Sequence, residues 1–398
     1  MSTRTKLVWV AILYFAEGFP FGLVVDFFPT YFRHGLGLSL TDIGLFTLAS
    51  LPWTLKFLWA PLLDWVLSRR TWIVGCQITM GITLLGFLSM TEDPGIGIGL
   101  LLFSMAVFSA TQDIAIDAYT IELLDPKEMG PANGLRVTTY RVALITAGGW
   151  FVAAADPAHA LGWKPVIGLA AILLIGFSLI SARIPPIPTH PHAKTPFEIV
   201  IRSLGRFFKR PGFLFIMLFI LTFKLGDMAM GPMIRPFWVD RQFSPIQIGL
   251  VPGTVGVLST IAGALAGGWL TGRVGIFHGL WILGLLQAVS NLVYALAAAL
   301  PPSIPLMYTA SITESFTGGL GTAPFLAFLM SICDKEHAAT QYALLSALFG
   351  LTRSLSGAVS GVATEHLGYA TYFTTTFFLA FPAFLLLPWV KEWTKSPS

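Results

Sequence analysis

Charge is scarce in this chain. Asp, Glu, Lys and Arg make up 11% of its 398 residues, against about 25% in an ordinary soluble domain. With 55% hydrophobic residues and a mean hydropathy of +0.75, a solvated globular fold is excluded. Cysteine is nearly missing: Cys76 and Cys333 both fall in apolar runs, so there is no disulfide framework and no clue to a redox compartment. No Gly-Lys dipeptide occurs, so there is no Walker A loop, and ATP-driven pumping by this chain alone is excluded. His34, His159, His190, His192, His278, His337 and His366 lie in loops or near the ends of apolar runs, which argues against an intramembrane metal or a histidine relay. No nucleophile–base pair marks an enzyme, no cofactor motif is present, and no ten-residue alternating segments suggest a β-barrel.

What is abundant is long hydrophobic runs. Twelve are expected as helices, at roughly 7–28, 42–66, 71–90, 97–121, 134–155, 164–183, 212–236, 246–271, 276–299, 304–331, 338–362 and 370–390. Each is long enough to cross about 30 Å of hydrocarbon. The first is too long for a signal-peptide core and lacks a cleavage site. With the N-terminus placed inside, the inner segments collect Arg4, Lys6, Arg69, Arg70 and most other cations, while the outer loops hold only Arg33, Lys164 and Arg241. The positive-inside rule therefore puts both termini in the cytoplasm. The net charge of +4 reports topology and gives no reason to expect nucleic-acid binding.

The longest polar stretch, PPIPTHPHAKTPFEIVIRSLGRFFKR (185–210), separates spans six and seven. It divides the chain into an N-terminal bundle at 1–184, a linker at 185–211 and a C-terminal bundle at 212–398. Phe197, Val200, Ile201, Leu204, Phe207 and Phe208 recur at helical spacing opposite Arg202, Arg206, Lys209 and Arg210. The segment reads as a basic amphipathic helix on anionic membrane lipids, or as a solvated loop. The halves echo each other: SLTDIGL (39–45) recurs as SPIQIGL (244–250), and DPKE (125–128) as CDKE (333–336). Two parallel six-helix repeats in an all-α integral membrane protein are the plan of major facilitator transporters.

In that plan spans 1, 4, 7 and 10 surround the central cavity, and here all four carry charge: Glu17, Asp113 with Asp117, Lys224 with Asp227, and Glu314. A charge at a helix centre costs about 3 kcal/mol on insertion scales. In FILTFKLGDMAMG (219–231), Lys224 and Asp227 share a helix face, either as a water-accessible site or as a structural ion pair. Gly226 and Gly231 are expected to let the helix bend there. In AEGFPFG, Pro20 is expected to break span 1 beside Glu17, the first candidate for a protonatable carboxylate; a salt bridge to Lys224 is the plainer role. Glu314 is the second candidate. Asp113 and Asp117, four apart, with Arg136 and Arg141 beyond them, form an inner gate or a static brace. Asp64 with Arg69 and Arg70 reads as the gating loop after span 2, without its usual glycines. Lys56 and Arg353 are further buried cations. Gly263 and Gly267, with small residues such as Ser354 and Gly357, are expected to allow close helix packing.

TLKFLWAPLLD (54–64), ATQDIAIDAY (110–119), FKLGD (223–227), ESFTGGLGTAPF (314–325) and ATQYALLSAL (339–348) resemble the muropeptide permease (AmpG) family of the major facilitator superfamily. The resemblance implies a proton-coupled importer of N-acetylglucosamine–anhydro-N-acetylmuramyl peptides in the bacterial inner membrane; a monomer is expected. It carries a functional role to Lys224, Asp227, Asp113, Asp117 and Glu314. Relatives that take siderophores or acetyl-CoA leave the cargo open. Acids, cations and the nearby Tyr14, Phe15, Trp53 and Phe223 suit any large amphoteric ligand. A channel would want a continuous polar pore, whereas these polar residues cluster at the midplane and inner side.

Overall fold

The computed structural model describes residues 1–89, 95–125, 127–186, 211–333 and 338–394. Every regular element among them is helical. Seven described helices are long and apolar enough to cross a bilayer, and a further bent pair, Leu344–Leu385 with Leu387–Trp393, meets at 49°. The chain is a multi-pass membrane protein. The amphipathic linker helix expected over 197–210 lies outside the described residues, as does most of the CDKE echo.

The helices gather into two compact units: Met1–Thr189 with Arg235–Thr254, and His190–Ile234 with Val255–Ser398. In unit 1, α1 (Thr3–Gly22) begins where the Ser2 side chain accepts from the Thr5 N–H. Pro20 does not break it. The helix continues and widens into π-turns at Leu23–Phe27 and Tyr31–Gly35. Proline removes the donor for the carbonyl four residues back, and the Gln112 amide supplies one instead, donating to the Ala16 carbonyl at 2.9 Å.

The second apolar run is broken into α2 (Leu40–Phe46), α3 (Leu51–Leu55) and α4 (Ala60–Trp65) by tight turns at Thr47–Ser50 and Lys56–Leu58. Then follow α5 (Arg69–Ser89), α6 (Gly95–Leu123), α7 (Met129–Ile145), α8 (Phe151–Ala154) and α9 (Trp163–Ser181). Val10, Leu13, Tyr14, Ile73, Ile116 and Tyr119 pack one core between them.

In unit 2, α10 (Phe213–Phe223) ends at Lys224, whose φ of −105° and ψ of 8° leave the helix before α11 (Leu225–Asp240) restarts it. The break is at the lysine, not at the glycines. Gly226 instead lets two chains approach, since a Cβ there would strike the Thr376 carbonyl, while Gly231 faces open space. α12 (Pro245–Leu250) belongs with unit 1. Its capping box, Ser244 with Gln247, matches the Ser39 cap on α2, so the SLTD/SPIQ echo in the sequence is a repeated helix start.

α13 (Gly256–Val274), α14 (Ile276–Ala299), α15 (Ile304–Ser331), α16 (Ala338–Phe378, kinked at Gly368), α17 (Phe381–Leu385) and α18 (Leu387–Thr394) complete unit 2. A Cβ at Gly263 would meet the Phe316 carbonyl and one at Gly267 the Leu320 carbonyl, so α13 and α15 pack backbone to backbone, as expected of those glycines. Phe219, Phe223, Phe325 and Phe328 fill the core beside them. Removing a ring of this kind costs about 3–5 kcal/mol.

Candidate functional site

Unit 1 concentrates its polar groups where α1, the Lys56 turn, α6 and α7 meet. The turn at Lys56–Leu58 aims Lys56 at α6, and its ammonium donates to Asp113 Oδ2 at 2.5 Å. The Glu17 carboxyl lies within hydrogen-bonding reach of the Asp113 carboxyl. Glu17 is 8% exposed and its Oε2 has no partner. One helical turn along α6, Asp117 Oδ1 accepts from the Tyr14 hydroxyl at 2.6 Å and from Arg136 Nη2 at 2.8 Å. The Arg136 guanidinium also sits 4.5 Å over the Tyr14 ring.

These groups open onto a cleft of about 450 Å³ lined by Tyr14, Glu17, Phe21, Arg136, Tyr140 and Arg141. Cations, a carboxyl and the aromatic side chains of Phe21 and Tyr140 in one concavity form the arrangement that small-molecule sites use. Arg141 makes no ion pair among the described residues and faces this cleft. Trp53 reaches it only indirectly, edge-on to Phe21, and Phe15 packs on Phe177 instead.

Unit 2 carries its own cluster. Lys224, 1% exposed at the α10–α11 break, donates to Gln287 Oε1 at 2.7 Å, the Gly318 carbonyl at 3.1 Å and Asp227 Oδ2 at 3.3 Å. All three ammonium donors are thus used, which is what a buried charged lysine requires. Asp227 Oδ1 has no partner. Glu314, on α15 one turn before Gly318, accepts from Ser315 Oγ at 3.3 Å, and the charges acting on it are Asp227 and Lys224. Phe223, beside Lys224 in sequence, turns into the hydrophobic core and stacks on Phe325.

The remaining candidates lie apart. Arg69 is buried and pairs with Glu122 Oε1 at 3.3 Å, while Arg70 is exposed. Arg353 is half-buried on α16. The side chain of Asp64 lies outside the described residues. Sequence reasoning missed four groupings. Gln287 was detectable as a glutamine in an otherwise greasy helix. The Glu122 partner of Arg69 sits at the polar end of α6. Asp26 pairs with Arg235 at 3.1 Å, and Arg33 grips Asp240 through two bonds of 2.6 and 2.8 Å; no local pattern signals pairs so distant in sequence.

In the first turn of α1, Lys6 pairs with Asp125 at 2.7 Å and with Glu128, outside the spans, at 2.8 Å. Lys6 and Thr3, with the Asp125 N–H, hold the Glu128 carboxyl far below its usual range, at about 2.

Known proteins share this chain's sequence and shape. A family model described as acetyl-coenzyme A transporter 1 matches residues 6–97. The anhydromuropeptide permease of Escherichia coli (strain K12) is 34% identical over 388 residues, covering 94% of this chain and 78% of that protein. A putative transporter AmpG 4 of Rickettsia felis is 26% identical over 408 residues, covering 97% of each. Among solved structures, a bacterial homologue of the human lysosomal transporter Spinster, in an inward-facing and unoccupied conformation, superposes over 100% of both chains with a TM-score of 0.79 at 16% identity. That likeness shows the fold alone.

Proposed function

The chain belongs to the anhydromuropeptide permease family, with a major facilitator fold, and we propose that it imports anhydromuropeptides in symport with protons. The single observation that carries this reading is the unit 1 cleft, where Glu17 faces Asp113 beside Arg136, Arg141 and three aromatic rings. We read the chain as twelve spans in two six-helix repeats, monomeric, in the bacterial inner membrane with both termini cytoplasmic, and not as an enzyme.

The chemistry of the cleft fits an amphoteric sugar–peptide. Peptide carboxylates pair with Arg141 and compete with Asp117 for Arg136. Sugar faces lie on Tyr140 and Phe21. Two carboxyl groups within hydrogen-bonding reach repel strongly unless they share a proton, so the Glu17–Asp113 pair takes one up from whichever side of the membrane the cleft faces. Loss of that proton on the cytoplasmic side resets the site. A ligand anion that neutralises the guanidinium groups lets proton and ligand cross together, which ties uptake to the proton gradient.

The test is uptake of labelled N-acetylglucosamine–anhydro-N-acetylmuramyl tetrapeptide by cells lacking their own permease, with a ferric siderophore and acetyl-CoA as competitors. Uptake that neither competitor reduces supports the assignment. Expression without uptake, or uptake blocked by either competitor, moves the cargo to another class.

A further inference from the structure

Each unit contains a triad of the same composition: two carboxyl groups and one lysine. In unit 1 it is Glu17, Asp113 and Lys56, with Lys56 bonded to Asp113 and Glu17 against Asp113. In unit 2 it is Asp227, Glu314 and Lys224, with Lys224 bonded to Asp227. The neighbouring charges do not alter the count. Asp117 and Arg136, bonded directly to each other with the neutral Tyr14 hydroxyl donating to the same carboxylate, form a pair that is neutral by itself. Arg141 lines the cleft and makes no ion pair with the triad. In unit 2 the charges acting on Lys224 and Glu314 among the described residues are each other and Asp227; Gln287 and Ser315, which also touch the triad, are uncharged.

Each triad therefore carries one carboxylate too many when fully ionised. A buried excess charge in a membrane bundle is the costliest state available, and a proton is the smallest ion that removes it. Each triad also has an unpartnered carboxyl oxygen, Glu17 Oε2 and Asp227 Oδ1, that no protein donor satisfies. Lys224 has all three of its ammonium donors engaged, which favours its charged form over loss of its own proton.

We propose that each unit holds one proton of its own, shared between Glu17 and Asp113 in unit 1 and carried by Glu314 in unit 2, so that the transporter has two proton-binding sites. This rests on the reading of the chain as a proton-driven importer and adds its stoichiometry. The two sites differ in what surrounds them. The Glu17 site opens onto the ligand cleft, so its proton exchanges with ligand binding. Among the described residues the charges on the Glu314 site are those of Lys224 and Asp227, so its proton responds to movement of the α10–α11 break, where Lys224 sits.

The test is infrared spectroscopy of the purified full chain in lipid nanodiscs at pH 7, reading the C=O stretch of protonated carboxyl groups and its shift in heavy water. Two such signals are expected, one absent in Glu17→Gln and the other in Glu314→Gln. Asp227→Asn provides a second route that leaves Glu314 in place: with one carboxylate gone, Glu314 pairs with Lys224 and its protonated signal disappears. A single signal lost in Glu17→Gln, or an Asp227→Asn spectrum like that of the unaltered chain, overturns the proposal. Vesicle accumulation under a one-unit pH gradient at zero membrane potential separates the two levels. Two coupled protons give about hundredfold accumulation, falling to about tenfold in Glu314→Gln. Two infrared signals without gradient-driven uptake retire the symport reading and keep the sites. Tenfold uptake in the unaltered chain with one signal keeps symport and retires the second site.

Discussion

The Gln112 side chain donates to the Ala16 carbonyl, the group that Pro20 leaves without its helical partner, at 2.9 Å. The contact fastens α6 to α1 one residue from Glu17 and one from Asp113, so it fixes the spacing of the two carboxyls. Gln112→Leu leaves that carbonyl unsatisfied in a dry interior and is expected to cost about 1–3 kcal/mol. Thermal unfolding in detergent, measured as a double-mutant cycle with Pro20→Ala, checks the origin of the effect. Restoring the backbone N–H at position 20 should make Gln112→Leu nearly neutral; an equal loss in both backgrounds contradicts the assignment.

Lys224 and Asp227 are expected to behave as a unit. Lys224→Met strands Asp227 without its cation, at about 3–5 kcal/mol for a buried pair broken on one side. Lys224→Met combined with Asp227→Asn should recover part of that stability, and reversing the two charges should restore more uptake than either single change. Strict additivity in the cycle would mean that each residue serves a different partner.

Two ion pairs in unit 1 should rank by burial. Arg235, 6% exposed, relies on Asp26 and the Gly148 carbonyl. Arg33 and Asp240 are each about a quarter exposed, at 25% and 26%. Asp26→Asn is therefore expected to lower stability by about 3 kcal/mol or more, and Asp240→Asn by about 1 kcal/mol. Equal midpoints for the two variants would refute the ranking.

The pairing of Lys6 with Glu128 should be silent over the working pH range. Because the folded carboxyl titrates at about 2, below its ordinary value near 4.3, its stabilisation is complete above that ordinary value. It is lost only as pH falls towards 2. Between pH 5 and 8 Glu128 stays ionised, so Glu128→Gln should leave the pH profile of uptake unshifted, whatever it does to the maximal rate. A displaced profile would put this carboxylate in the proton path.

The sequence made the apolar runs, the repeated SLTD/SPIQ helix start and the buried charges visible, because each is a local pattern or a local anomaly in an otherwise apolar background. Glu17, Asp113, Asp117, Lys224 and Glu314 stand out simply because charge in hydrocarbon is expensive. Their partners did not stand out. Whether Glu17 meets Asp113 or Lys224 depends on which helices pack and at what height, and nothing local records that. The Lys224 break was hidden for a different reason. Gly226 looked like the hinge, yet its missing side chain makes room for the Thr376 carbonyl, and it is the lysine that leaves helical geometry. Pro20 misled in the same way, because a glutamine on another helix repairs what proline removes.

The central claim is that a proton at the Glu17–Asp113 pair drives uptake, and one paired measurement reaches it directly. Labelled anhydromuropeptide is followed in vesicles, first as accumulation against its gradient and then as exchange at equal pH, for the unaltered chain and for Glu17→Gln. The account expects uncoupler-sensitive accumulation in the unaltered chain, and in Glu17→Gln exchange that continues while accumulation under a one-unit pH gradient falls about tenfold. Uphill uptake that survives both the uncoupler and the substitution would contradict it.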